Sequence, residues 1–221
     1  MNLAAILALG FFLGMRHATD ADHVVAVSTI VSRERTLRSA APIGILWGLG
    51  HTLTILVVGG AIILFGVVIP PHVGLGMELS VGVMLVILGA MNLRSVLRET
   101  VALAPAHRTT GRRSMRPLVV GIVHGLAGSA AVALLVLGAI RDPLWASCYL
   151  LVFGVGTIAG MLLITTALAM PIAAAARRFA RLHRALAVVT GLASVVFGAV
   201  VIYEIGFVHG LFTSHPAWTP Q

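Results

Sequence analysis

The sequence predicts an all-α integral membrane protein of six transmembrane helices, built as a 3+3 inverted repeat with a discontinuous first helix. Three observations carry that expectation. The 221 residues are 59% hydrophobic and only 10% charged, with a mean hydropathy of +1.04, whereas a soluble domain carries roughly 25% charged residues. Apolar runs long enough for a hydrocarbon core of about 30 Å, which takes about 20 helical residues, recur six times between clusters of charge. A dense group of ionisable side chains interrupts the first of these runs. In so apolar a chain a net charge of +8 points to loops that set orientation. The lipid bilayer is therefore the expected partner, and nucleic acid is not.

Taken in order, the spans cover residues 2–31, 40–69, 75–93, 117–140, 144–170 and 185–212 of a single transmembrane domain, 1–221. Its halves, approximately 1–100 and 115–212, are joined by a basic loop. The first run lacks a basic segment ahead of it and leads into Arg16 and His17 rather than a small-residue cleavage site, so it is not read as a signal peptide. A 30-residue helix would be about 45 Å long, so span 1 must tilt, kink or break. Span 5 holds the single cysteine, Cys148. One thiol excludes an intramolecular disulfide, a CxxC pair and a thiolate metal site.

The arginines test the count, because successive loops must alternate between the two sides. All fifteen basic residues are arginine, and thirteen fall in the loops after spans 1, 3 and 5. Arg141 alone lies on the opposite side, and Arg16 lies inside span 1. This asymmetry predicts a multi-pass protein of the cell (plasma or inner) membrane, with basic loops cytoplasmic and both termini outside.

Gly14-Met-Arg-His17 in span 1 and Gly121-Ile-Val-His124 in span 4 are 107 residues apart. The same offset carries span 2 onto span 5 and span 3 onto span 6. Three spans per half force the halves into opposite orientations, the plan of many secondary transporters, whose substrate site lies near the midplane. Gly10/Gly14, Gly44/Gly48, Gly121/Gly125 and Gly156/Gly160 are spaced for close helix packing.

Within span 1, Arg16-His17-Ala18-Thr19-Asp20-Ala21-Asp22-His23 places five ionisable groups in eight residues. Each charge at mid-helix costs at least about 2.5–3.5 kcal/mol on insertion scales, so the group must pair, line a wet cavity or bind an ion. A loop between two short helices, or a structural network of Arg16 with Asp20 at i, i+4, would be the bland explanations. Two imidazoles and two carboxylates without thiolate suit a borderline dication such as Ni, Co, Cu or Zn. On a straight helix His17, Asp20 and His23 share an arc of about 120° while Asp22 points elsewhere. Unwinding near Asp20 to Asp22 would let all four converge. His51 and His124 also lie inside spans. Counting about 1.5 Å per residue from each span's start puts His17 about 22 Å from the outside and His51 and His124 about 17 and 11 Å from the inside. All three therefore fall within several Å of one plane, each as a ligand or as a partner to one.

These residues resemble the nickel/cobalt transporter family, most closely its short urease-accessory nickel permease branch. The motifs are Arg16 to His23, similar to the family's RHAxDADH signature; Leu49-Gly50-His51-Thr52; and His124-Gly-Leu-Ala-Gly-Ser129. The match in order and spacing covers residues 14 to 130, while residues 141 to 221 are supported mainly by hydropathy. The resemblance implies high-affinity transport of Ni2+ or Co2+ as substrate, usually uptake, with His17, Asp22 and His23 handling the metal and no cofactor. Ser129 stands where the repeat would put an aspartate, so the second half cannot reproduce the whole site.

The resulting expectation is a permease, not an enzyme, with metal residues His17, Asp22, His23, His51 and His124 and supporting residues Arg16, Asp20, Thr52 and Ser129. Asp20 either orients a ligand or pairs with Arg16. No lysine is present for a P-loop, and a membrane potential gives about 2.3 kcal/mol per charge per 100 mV, so inward flux needs no ATP. A metal exporter, a membrane enzyme using His/Asp acid–base chemistry and a His-ligated haem protein remain alternatives. The sequence also leaves open nickel against cobalt and a homo-oligomeric state.

Overall fold

The computed structural model describes residues 3–34, 36–67, 69–101, 115–125, 140, 142–213 and 218. The elements are α1 (Leu3–His17), α2 (Ala21–Val31), α3 (Leu37–Phe65), α4 (Pro71–Val101), α5 (Arg116–His124), α6 (Pro143–Arg178) and α7 (Ala180–Tyr203), with a π-helical turn at Glu204–Val208. No strand occurs among the described residues. Among the described residues four stretches are long and apolar enough to cross a membrane: Leu37–Phe65, Pro71–Arg98, Pro143–Ala176 and Ala180–Val208. Most of the expected fourth span, 126–139, lies outside the described residues, and so do Ser129, His107, His215, Arg35, Arg108, Arg112, Arg113 and Arg141.

Local chemistry sets the helix ends. Thr36 starts α3 by accepting a hydrogen bond from the Ser39 amide at 3.2 Å, and Asp142 starts α6 through the Leu144 amide at 2.8 Å, with Pro143 in the first turn. Gly66, at φ +61°, ends α3 in the left-handed conformation that glycine adopts without a Cβ penalty. Several arginines expected in loops are instead helical: Arg38 in α3, Arg94 and Arg98 in α4, Arg116 in α5. A helix satisfies its own backbone as it leaves the bilayer, and a long guanidinium stem reaches water from it.

The expected discontinuity is present, but earlier than Asp20 to Asp22: the break is at Ala18 to Asp20, and Asp22 lies in the first turn of α2. Hydrogen bonds tighten to i→i−3 from the Thr19 amide to the Arg16 carbonyl (2.8 Å) and from the Asp20 amide to the His17 carbonyl (3.1 Å). The Thr19 hydroxyl donates to the same Arg16 carbonyl at 2.6 Å, an alternative to continued helix that short polar side chains offer. Asp20 then turns extended, with ψ 147°, and α2 begins.

Packing follows the glycine pattern. α1 lies against α6, α3 against both α6 and α5, and α4 against α7, while α2 touches α4, α6 and α7. A Cβ at Gly14 would overlap the Phe153 carbonyl and one at Gly156 the Phe11 carbonyl, so α1 and α6 meet backbone to backbone. Gly50 and Gly121 do the same for α3 and α5, against the carbonyls of Leu118 and Trp47. Such close approach replaces the hydrophobic drive that lipid does not supply. Two apolar clusters result, one including Val27, Trp47, Val120 and Met161 and the other Ile55, Tyr149 and Phe153. On α3, His51 is one turn from Trp47 and one turn from Ile55, so the histidine level lies between the two.

Candidate metal centre

Because α1 stops at His17 and α2 restarts at Ala21, the histidine at the end of one helix and that near the start of the next turn toward each other. The His17 and His23 ring centroids are 4.7 Å apart. His51, brought in by α3, lies 4.9 Å from His17 and 5.0 Å from His23. His124, the last residue of α5, lies 4.5 Å from His23. Three separate stretches of chain thus place four imidazoles together, and all four are buried.

The carboxylates face the imidazoles. Asp20 Oδ2 is 2.9 Å from His17 Nδ1. Asp22 uses both oxygens: Oδ1 accepts from the His23 amide and meets His23 Nδ1, each at 2.9 Å, and Oδ2 meets His124 Nε2 at 3.0 Å. An ionised carboxylate only accepts, so the network assigns the proton to His17 Nδ1, His23 Nδ1 and His124 Nε2. The opposite nitrogen of each ring then presents a lone pair. His17 Nε2 lies 2.8 Å from His51 Nε2, which makes His51 Nε2 the donor and His51 Nδ1 a fourth unprotonated nitrogen.

Three of these lone pairs stand out. His23 Nε2, His51 Nδ1 and His124 Nδ1 are buried and have no hydrogen-bond partner among the described residues. A buried polar atom left so costs about 1–3 kcal/mol, and a Lewis acid is the natural partner of an imidazole lone pair. One nitrogen each of His17, His23 and His51 lies within 4.8 Å of the others, and a second group of Asp22, His23 and His124 meets the same limit. The groups share His23. Were the His51 proton to move to Nδ1, both Nε2 atoms would be free, and the 2.8 Å between them is close to the ~2.9 Å that separates cis nitrogens at 90° with metal–nitrogen bonds of about 2.0–2.1 Å.

The remaining expected site residues divide. Arg16 is exposed, and no ion pair joins it to Asp20; the i, i+4 relation requires a helix that the break removes. Of the two roles open to Asp20, the geometry has it on His17. Thr52 stands apart from the cluster, donating to the Gly154 carbonyl at 3.2 Å across the α3–α6 contact. Outside the expected set, Glu78 in the second turn of α4 accepts from Trp218 Nε1 at 2.9 Å.

Trp47 is a residue that motif reading passes over. Its ring stacks on His23 at 6.1 Å and 11° and sits 5.4 Å from His124, fully buried one turn before His51. Phe153 packs against the other side of His17 at 5.7 Å. The only sequence signal for Trp47 is its i, i+4 relation to His51. The histidines are enclosed by rings, and access is through the carboxylates: the Asp20 side chain is 37% exposed and that of Asp22 18%.

Among curated proteins, urease accessory protein UreH of Bacillus sp. (strain TB-90) is 38% identical over 222 residues, covering 96% of each chain. Chloroplast protein FOR GROWTH AND FERTILITY 2 of Arabidopsis thaliana is 28% identical over 166 residues, 69% of this chain and 44% of that protein. No family model matches. No solved structure matches either. The similarity to UreH runs over nearly the whole of both chains, and the chain belongs to the UreH-like, urease-accessory branch of the nickel/cobalt transporter family of membrane permeases.

Proposed function

We propose that the chain carries Ni2+, or Co2+, across the membrane through the histidine cluster, as a secondary permease working in the direction of uptake. The observation that carries this reading is the set of buried imidazole lone pairs, three of them without a partner, beside two carboxylates. Imidazole and carboxylate without thiolate suit a borderline dication. The partly exposed Asp20 and Asp22 attract the hydrated ion, and His17, His23 and His51 replace its water. Asp20 and Asp22 hold His17 and His23 with Nε2 toward the metal and raise the basicity of both rings. Asp22, His23 and His124 form an adjoining position, and because His23 belongs to both, the ion can pass between them without losing every ligand at once.

Uptake requires no energy source beyond the membrane potential, which gives a dication about 4.6 kcal/mol per 100 mV. The packing supports a six-span inverted repeat. Exchanging span 1 with 4, 2 with 5 and 3 with 6 turns the α1–α6 contact into α5–α3, and leaves α3–α6 and α4–α7 paired with themselves. The arginines at the end of α2, the start of α3, the end of α4 and the start of α5 line one cavity, which supports a shared cytoplasmic end. Accumulation of radioactive nickel in cells expressing wild type, His17→Ala and His51→Ala tests the reading. Wild type should exceed empty cells and both variants should fall to the empty-cell level. Equal accumulation in all three expressing strains would remove the site assignment, and wild-type accumulation below that of empty cells would reverse the direction.

A further inference from the structure

One end of the bundle holds a cavity of about 890 Å3 that the histidine cluster does not use. Among the described residues five arginines line it, Arg33, Arg38, Arg94, Arg98 and Arg116, together with Glu34; Arg33 and Arg116 have partners of their own. The five come from four different helices or their ends. In each helix the charge is outermost and the apolar lining lies inward: Ile30 before Arg33, Ile43 and Leu46 after Arg38, Met91 before Arg94, Val120 after Arg116. The cavity therefore has a cationic mouth and an apolar floor. Hydroxyls of Thr29, Ser39 and Ser95 lie between.

Arginines that only fix orientation need to be on the right side of the membrane, not around one concavity. Arg38, Arg94 and Arg98, brought together from two helices around one cavity, repel one another, and a bound anion would relieve that repulsion. The planar guanidinium fork matches phosphate oxygens two at a time, where lysine offers a point charge. The volume lies in the range of small-molecule sites, about 300–1,000 Å3, larger than a bare inorganic anion needs, and the floor can take an apolar body.

We propose that this cavity binds an organic phosphate, with the phosphate held by Arg38, Arg94 and Arg98 at the mouth and the rest of the molecule on the floor of Ile43, Leu46 and Val120. The phosphate can belong to a soluble ester or to the headgroup of an anionic lipid. A bound anion would also lower the positive potential that a dication meets at this end of the path. That consequence rests on the transport reading, whereas the binding does not.

The test is made without nickel, on the full chain in phosphatidylcholine nanodiscs, wild type against an Arg94→Gln/Arg98→Gln double variant. One arm titrates adenosine diphosphate by calorimetry. The other dopes the discs with phosphatidylglycerol and follows retained lipid by native mass spectrometry. The expected result is saturable binding by wild type in at least one arm, weakened tenfold or more in the double variant, with an unchanged melting temperature as the folding control. Loss confined to the nucleotide arm identifies a soluble ester, and loss confined to the lipid arm a headgroup. Absence of saturable binding in both arms, or equal binding by the double variant, would overturn the proposal. Wild-type phosphate binding with no nickel binding would sink the transport reading and leave this one standing.

Discussion

Replacing Asp22 with asparagine keeps the shape of the side chain and removes its charge. One oxygen can still accept from His23, but the new amide group faces His124 Nε2 across the 3.0 Å contact, so His124 must change tautomer or lose the bond. A metal held on His23 Nε2 lies about 7 Å from the carboxylate, through the 2.9 Å hydrogen bond, the ring and a metal–nitrogen bond of about 2.1 Å. At an effective dielectric of about 20, one negative charge attracts a dication at that distance by about 5 kcal/mol. Restored solvation of the site offsets part of this. A net loss of about 4 kcal/mol, roughly a thousandfold in Kd, is the expected outcome. Asp20→Asn should cost less, about 10–100-fold, because its more exposed carboxylate is screened by solvent and touches only His17. Calorimetric titration of purified protein with Ni2+ measures both. Affinity of Asp22→Asn within a few-fold of wild type, or a larger loss in Asp20→Asn, would refute the reasoning.

Further outcomes follow from the packing and the placement of charge. Gly121→Ala pushes a methyl group into the Trp47 carbonyl and should destabilise the protein by about 1–3 kcal/mol, whereas Gly60→Ala, which meets nothing within 4 Å, should leave the melting temperature in detergent unchanged. Trp47→Ala removes the ring stacked on His23 and should cost about 3–5 kcal/mol; Trp47→Leu should recover part of that stability, read by the same melts, without restoring nickel affinity. Asp142→Ala removes the bond to the Leu144 amide and should lower stability by about 1 kcal/mol. For orientation, Arg98→Cys in a Cys148→Ser background should react with a membrane-impermeant maleimide only in inside-out vesicles.

Much of the fold was legible because a bilayer constrains a sequence more tightly than water does. The length of the apolar runs follows from hydrocarbon thickness, and the paired glycines mark the contacts of α1 with α6 and of α3 with α5. The meeting of His17, His51 and His124 was legible from depth alone, since residues counted from a membrane surface must share a plane before they can share a metal. The roles inside the cluster were not. Spacing on a continuous helix makes Arg16 a partner for Asp20, but a break at Ala18 to Asp20 hands Asp20 to His17 and leaves Arg16 exposed. That the two oxygens of Asp22 join His23 to His124 could not be read from spacing, because it depends on where α5 docks. Trp47 carries no charge and no motif, and its position against two histidines depends on how closely Gly121 lets α5 approach α3.

X-ray absorption at the nickel edge of the loaded protein tests the central claim most directly, because it counts the imidazoles on the metal. The predicted result is a shell with three imidazole nitrogens in wild type, falling to two in His51→Ala, with the shell of Asp20→Asn unchanged in number. A shell made of oxygen alone, or one that His51→Ala leaves intact, would contradict it.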